Sequence, residues 1–279
     1  VILADTLAND GVPTAELGIS HWSARIMAER HEASFSTVAR IWRRWKIQPG
    51  RIETFKFSTD PQLESKLRDV VGLHLSPPET PVVVRVSIDD KTQIQALSRT
   101  QPVQPLAPEH PLQQTHDYRR NGTTTLFAAL DVLTGKLSAS KFYQKHTNVK
   151  FVDFLQQVAE ANPEIDLHVS CDNYATHKHR NVLDWLAANP RVTLHFTPTS
   201  CSWLNIVEIF FGVITRQCLK RSNFASIPEL EAAVHRYIER YNEDAKPFAW
   251  TKTADHLLGK MIRKAKANVL ELDETQPNN

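Results

Sequence analysis

No apolar run in this sequence approaches the roughly 18 residues of a membrane-spanning helix, and no charged-then-apolar leader opens it. These absences point to a soluble chain with no membrane partner. Cysteine is scarce. Cys171, Cys201 and Cys218 show no paired zinc spacing, and an odd count does not build a disulfide framework, so a reducing cytoplasm fits best. Net charge is nearly absent as well: 33 basic residues stand against 31 acidic ones, and any case for a polyanionic partner must be local. Repeats and low-complexity tracts are missing. What is present is enough apolar material, 41% of 279 residues, to bury the core of one large domain and a smaller one. Because residue 1 is Val rather than Met, the natural start is expected to lie upstream.

Over residues 1–50 the pattern is of short helices. "HWSARIMAER" and "FSTVARIWRRW" have helical apolar spacing through Ile26 and Met27, then Val38, Ile41 and Trp42, with about four residues between them. That is a helix-turn-helix pattern, with Ser34 or Ser36 as the cap of the second helix. Residues 21–56 hold eight basic side chains against three acidic ones, which is the local charge that the total conceals. Arg40, Arg43, Arg44 and Lys46 lie on the second helix or at its end and suit phosphate and groove contacts, while Ser36 and Thr37 near its start are better placed for base edges. A solubilising face is the plain alternative. Residues 51–80 are expected to connect two domains, with one helix opened by Asp60-Pro61 and closed by Pro77-Pro78.

Beyond Pro81 the texture becomes α/β, with a catalytic domain expected over 81–265 and a tail over 266–279. "VVVRVSI" predicts a buried strand ending in Asp89-Asp90, and "TTTLFAALDVLTGKLSASKFY" an antiparallel hairpin turning at Thr134-Gly135. A helix over 148–161, a strand ending at Asp172, a helix stopped by Pro190 and a strand "VTLHFTP" follow. "TSCSWLNIVEIFFGVITR" predicts a helix that is apolar nearly all round and therefore buried, yet it carries Glu208. Ser226 and Glu229 make a capping box for the last helix.

Acids at the carboxyl ends of strands converge on one edge of an open α/β sheet, so Asp89 and Asp172 can meet there with Glu208 as a third member. Three adjacent carboxylates raise one another's pKa and call for a cation. Two Mg²⁺ about 3.5–4 Å apart would satisfy them and activate an in-line phosphoryl displacement. Bland readings stand beside this one. Asp89-Asp90 can be a strand end entering solvent, and Asp172-Asn173 a turn. His177 suits a phosphate or metal-bound water as well as a helix start, and Asn205 suits orienting Glu208 as well as capping. Lys91, Arg119 and Arg120 can touch a DNA backbone or face solvent. Trp203 and Trp250 read as packing residues. A phosphatase reading of "SIDDKT" fails because it needs Asp-x-Asp, and Asp89 and Asp90 are adjacent.

The stretches "HWSARIMAERHEASFSTVARIW", "FKFSTDP", "DDKTQIQALSRTQP", "THDYRRNGTTTLFAALD", "DNYATHKHRNVLDWLAANPRV", "HFTPTSCSWLNIVEIFF" and "KPFAWTKTAD" carry a resemblance. From residue 1 to about 262 the chain resembles the bacterial insertion-sequence branch of the mariner-like superfamily of DDE transposases. The resemblance implies an RNase H-like mixed sheet flanked by helices, preceded by a small all-α helix-turn-helix domain that is the second of two in many members. The family's acidic triad falls on Asp89, Asp172 and Glu208, with 35 residues between the last two. Members usually have Asp-Glu-Lys where this chain has Asp89-Asp90-Lys91; Asp89 is favoured as the metal ligand, with Asp90, Asn173, His177 and Asn205 as candidate supports around the ligands. The implied activity is cleavage at terminal inverted repeats and strand transfer into target DNA at TA. Two Mg²⁺, replaceable by Mn²⁺, a homodimer, and a bacterial cytoplasm close to the nucleoid are implied with it. The competing expectation is an inactivated or domesticated transposase that persists as a DNA-binding protein.

Overall fold

The computed structural model describes residues 1–8, 13, 17–51, 58–75, 83–101, 104, 105, 107–110, 113 and 115–263. The expected tail over 266–279 and the Pro77-Pro78 stop lie outside them. The chain divides into two compact units, Val1–Lys56 and Phe57–Asn279.

In the first unit α1 (Ile2–Leu7), α2 (Ala24–Arg30) and α3 (Phe35–Trp45) close on Trp22, Met27, Ala28, Val38 and Trp42. Ser23 and Ser34 cap α2 and α3 by accepting from Ile26 N and Thr37 N. Of the two serines weighed for α3, Ser34 is the cap. Glu32 takes a left-handed φ of 46° in the turn where glycine is common. The indole of Trp42 donates to Thr6 Oγ1 at 3.0 Å and so ties α1 to α3.

The second unit is built on a five-stranded sheet in the order β3-β2-β1-β4-β5. β1 (Val83–Arg99), β2 (Tyr118–Asp131) and β3 (Leu137–Tyr143) form an antiparallel meander, and β4 (Asp166–Cys171) and β5 (Val192–Phe196) run parallel to β1. The hairpin turn falls at the expected place. Gly135 has φ +72°, and a Cβ there would stand 2.1 Å from the Lys246 carbonyl oxygen, so both conformation and space require glycine. Alternation along β2 decides the layers. Phe127 and Ala129 face α5 (Asn148–Ala161) and α6 (Arg180–Ala188) through Phe151, Phe154, Leu155 and Val182, whereas Leu126, Ala128 and Leu130 face α7 (Val207–Ile214) and α8 (Ile227–Glu243) through Phe210, Phe211, Leu230 and Val234.

Three expectations need correction. β1 does not end at Asp89-Asp90 but runs on to Arg99, because β2 continues to pair with it beyond the end of β4, across a bulge in which Gln93 has φ 51°. α7 is buried through Val207, Phe210, Phe211 and Ile214 but open to solvent at Glu208 and Ile209, so its apolar circumference is half core and half surface. Trp203 is likewise 46% exposed rather than packed, while Trp250 packs as expected. In the segment between the expected domains, α4 (Leu63–Leu75) packs Leu67, Val70 and Val71 on Cys201, Leu204 and Leu257 of the second unit. Among the described residues no helix is long and apolar enough to cross a membrane.

Candidate active site

The parallel register brings two of the acids together. Ser87 of β1 pairs with Ser170 of β4, and two residues farther along the same register lie Asp89 and Asp172. Adjacent parallel strands are about 4.8 Å apart, so the carboxylates must feel each other. They do. Burial first, then the charge of Asp172, and then those of Glu208 and Asp90 push the Asp89 carboxyl up to about 8, with the hydrogen bond from the Asp90 backbone N–H opposing. Glu208 is also raised by partial burial and by Asp172 and Asp90, with the ammonium of Lys91 opposing. Asp89, Asp90, Lys91, Asp172 and Glu208 therefore share one electrostatic site.

Asn205 fixes this site, though not in the way the sequence suggested. Its amide does not meet the Glu208 carboxylate; fully buried, it donates from Nδ2 to Asp89 Oδ2 at 3.0 Å and to the Ile88 carbonyl at 2.9 Å. Its Oδ1 accepts from the Ser87 hydroxyl, which in turn accepts from Val207 N at 3.1 Å. Ser87 and Asn205 thus pin the first turn of α7 to β1, and Glu208 is the next residue of that turn. Asn205→Ala strands three buried groups at once and is expected to cost about 3 kcal/mol, seen as a fall in Tm of roughly 6–12 °C. A melt within a degree of wild type would contradict the network.

His146 is a site residue that sequence reasoning missed. It follows β3 by three residues, and no local pattern marks it. Its Nδ1 lies 2.8 Å from Asp90 Oδ1 and its Nε2 2.8 Å from Thr176 Oγ1, while its ring stacks on His177 at 5.1 Å. Asp90 is therefore turned to His146, and Asp89 to Asn205. His177 is buried and stacked on Phe151 at 3.9 Å; its Nδ1 is 2.9 Å from Asp172 Oδ1 but is better aligned on the Asp172 main-chain carbonyl at 3.1 Å. Asp172 Oδ1 and Asp90 Oδ2 are buried without a hydrogen bond.

The remaining candidates are not gathered here. Asn173 points to Asp60 and Thr199. Arg119 and Arg120 pair with Ser98 and Leu97, eight or more residues beyond Asp89 along β1 and so roughly 25 Å away. Ser36, Thr37, Arg40, Arg43, Arg44 and Lys46 belong to the first unit. The four basic side chains are exposed, and among the described residues none has an ion-pair partner; Ser36 and Thr37 each place a hydroxyl 2.9 Å from Ser34 Oγ.

Among the described residues no three donors already converge closely enough to hold a metal ion. The donor chemistry nevertheless fits one: hard carboxylate oxygens, two of them buried without hydrogen bonds, in a group whose mutual repulsion a cation would relieve.

Comparison with known proteins gives this geometry a context. Solved structures of the Mos1 mariner transposase share the fold. The paired-end complex with Mn aligns at a TM-score of 0.56 and 14% identity over 88% of this chain and 71% of that one. The paired-end complex with Mg aligns at 0.55 and 15% over 88% and 72%, and the strand transfer complex at 0.55 and 14% over 94% and 73%. At such identities the likeness is one of architecture: an RNase H-like mixed sheet flanked by helices, with a helical region before it. No curated protein matches the chain at a significant level. The family model described as DDE superfamily endonuclease matches residues 86–231, just over half of the sequence, from the β1 acids to the first turns of α8. The chain belongs to the DDE superfamily of endonucleases.

Proposed function

We propose that the protein is a DNA transposase of a bacterial insertion sequence: it binds terminal inverted repeats, cleaves at the ends and joins the freed 3′-hydroxyl to target DNA at TA. The observation that carries this reading is the electrostatic union of Asp89, Asp172 and Glu208 at the carboxyl edge of β4. The fold it shares with a transposase solved in paired-end and strand transfer complexes supports it.

Asp89, Asp172 and Glu208 would hold a pair of divalent cations, Mg²⁺ or Mn²⁺. Bound there, the pair supplies activation of the attacking oxygen and charge stabilisation for in-line displacement at phosphorus. The chain's own residues prepare that site. Asn205 and the Asp90 backbone N–H hold both oxygens of Asp89 in a fixed orientation, which supports Asp89 as the ligand. His146 engages Asp90, which supports Asp90 as a residue beside the ligands. Glu208, on the open face of α7, would supply the third carboxylate for the ions, and Lys91 offsets part of its charge. Arg40, Arg43, Arg44 and Lys46 supply phosphate contacts in the first unit, with Ser36 and Thr37 near base edges, and Arg119 and Arg120 supply backbone contacts in the second. The active species is a homodimer in the bacterial cytoplasm, acting at the nucleoid.

Oligonucleotides ending in the inverted repeats that flank the gene test the reading. Mg²⁺-dependent cleavage followed by joining to a TA-containing target is the expected result. End binding with neither step would identify an inactivated or domesticated transposase that acts as a DNA-binding protein.

A further inference from the structure

Asp60 has more hydrogen-bond donors around it than its place in the chain requires. It precedes α4, and one oxygen, Oδ1, accepts from Gln62 N at 2.9 Å in the ordinary manner of a helix cap. The second oxygen serves a different purpose. Oδ2 accepts from Lys66 Nζ at 2.8 Å, Thr199 N at 3.1 Å, Thr199 Oγ1 at 3.4 Å and Asn173 Nδ2 at 3.2 Å, and the side chain is 2% exposed. Asn173 also donates to Thr199 Oγ1 at 3.0 Å, which closes the cluster. Burial would raise this carboxyl, yet Lys66 and the backbone N–H groups of Gln62 and Thr199 hold it down to about 2. The group is therefore an anion at every working pH.

The donors come from two loops of the candidate site. Asn173 directly follows Asp172 at the end of β4, and Thr199 lies in the loop after β5 that leads to Asn205 and Glu208. We propose that Asp60 is a positioning residue for the metal site, its buried carboxylate clamping the Asp172-Asn173 loop to the Thr199 loop so that Asp172 is presented at a fixed distance from Asp89. Asp172 needs such a clamp. It lies one residue past the last residue of β4, and its Oδ1, 2.9 Å from His177 Nδ1, accepts no hydrogen bond. Groups that orient metal ligands commonly carry 10- to 100-fold in metal affinity or rate.

The inference rests on the reading of Asp172 as a metal ligand, and the test separates the two. The probes are Mn²⁺ and a supercoiled plasmid, nicked by the full chain and by its Asp60→Asn, Asn173→Ala and Asp172→Asn variants. Asp60→Asn and Asn173→Ala are expected to raise, by about tenfold or more, both the Mn²⁺ concentration for half-maximal nicking and the Mn²⁺ concentration that gives half of the metal-induced rise in Tm without DNA. At saturating Mn²⁺ the rate should recover to within about threefold of wild type, with KM for plasmid unchanged. Asn173→Ala leaves the Asp60–Lys66 pair intact and decides the matter even where Asp60→Asn folds poorly. A role confined to holding α4 would lower Tm and leave the Mn²⁺ midpoint in place. Wild-type midpoints in Asn173→Ala and in folded Asp60→Asn, beside loss of nicking in Asp172→Asn, would overturn the inference and spare the reading of Asp172. Wild-type nicking by Asp172→Asn would overturn both.

Discussion

Asp89→Asn is expected to make the metal-free protein more stable at pH 8 while removing its nuclease activity. The folded-state pKa of Asp89 is about 8 against an ordinary value of 3.8, a rise caused first by burial and then by the neighbouring acids. A raised carboxyl means that the folded chain keeps a proton which the unfolded chain releases. Stability is then fully present below about pH 4 and declines as pH rises toward 8. Over that window the loss is at most about 6 kcal/mol. An isosteric amide does not incur it, but its Nδ2 opposes one of the two donors, Asn205 Nδ2 or Asp90 N–H, and gives back about 1–3 kcal/mol. The variant should therefore melt roughly 5–15 °C above wild type at pH 8 in chelator, with the gap closing as pH falls and the variant lying a few degrees below wild type near pH 4. Added Mg²⁺ should raise the wild-type Tm and leave the variant where it was, since a ligand stabilises only the state that binds it. Parallel pH–Tm curves for the two proteins would show that Asp89 is not held in a repulsive site.

Glu208→Gln should have the largest effect on chemistry and little effect on the fold. The side chain lies on the open face of α7, so replacing it disturbs no core packing. What it removes is an anionic oxygen for the ions, and a loss of one such ligand is expected to lower Mg²⁺-dependent cleavage by at least about 10³-fold, or roughly 4 kcal/mol in the barrier. Binding to DNA ends, which the proposed function assigns to the basic helix of the first unit, should be unchanged at equal salt. Gel retention and cleavage measured on one preparation give both numbers. Cleavage at the wild-type rate would remove Glu208 from the triad, and a parallel loss of binding would mean that it contacts DNA rather than metal.

Much of the fold was legible along the chain. The helix over 148–161 and its apolar stripe through Phe151, Phe154, Leu155 and Val158 are as the periodicity predicts, and so is the serine half of the capping box, where Ser226 Oγ accepts from Glu229 N; the Glu229 half is shifted by one residue, Glu229 Oε2 accepting from Ala225 N rather than from Ser226 N. Both signals are local, set by 3.6-residue spacing and by side chains three or four residues from the backbone they cap. The length of β1 was not legible. Residues 91–99 are polar and mixed, and they are extended because β2 pairs with them, not because of their own preference. The exposed half of α7 was hidden for a similar reason: Ile209 is apolar yet 45% exposed, and hydrophobicity alone does not say which face a layer covers.

By itself the sequence determined the order of the elements, the basic second helix and the three acids with their spacing, since each of these is a property of neighbouring residues. Tertiary structure alone decided how the acids are held. Asn205 reaches Asp89 across 116 residues, His146 reaches Asp90 across 56, and Asp60 receives Asn173 across 113. Such pairs have no spacing rule. They arise because β1 and β4 lie side by side, because α7 is pinned to β1 through Ser87, and because a buried polar atom must find its partner wherever the packed chain supplies one.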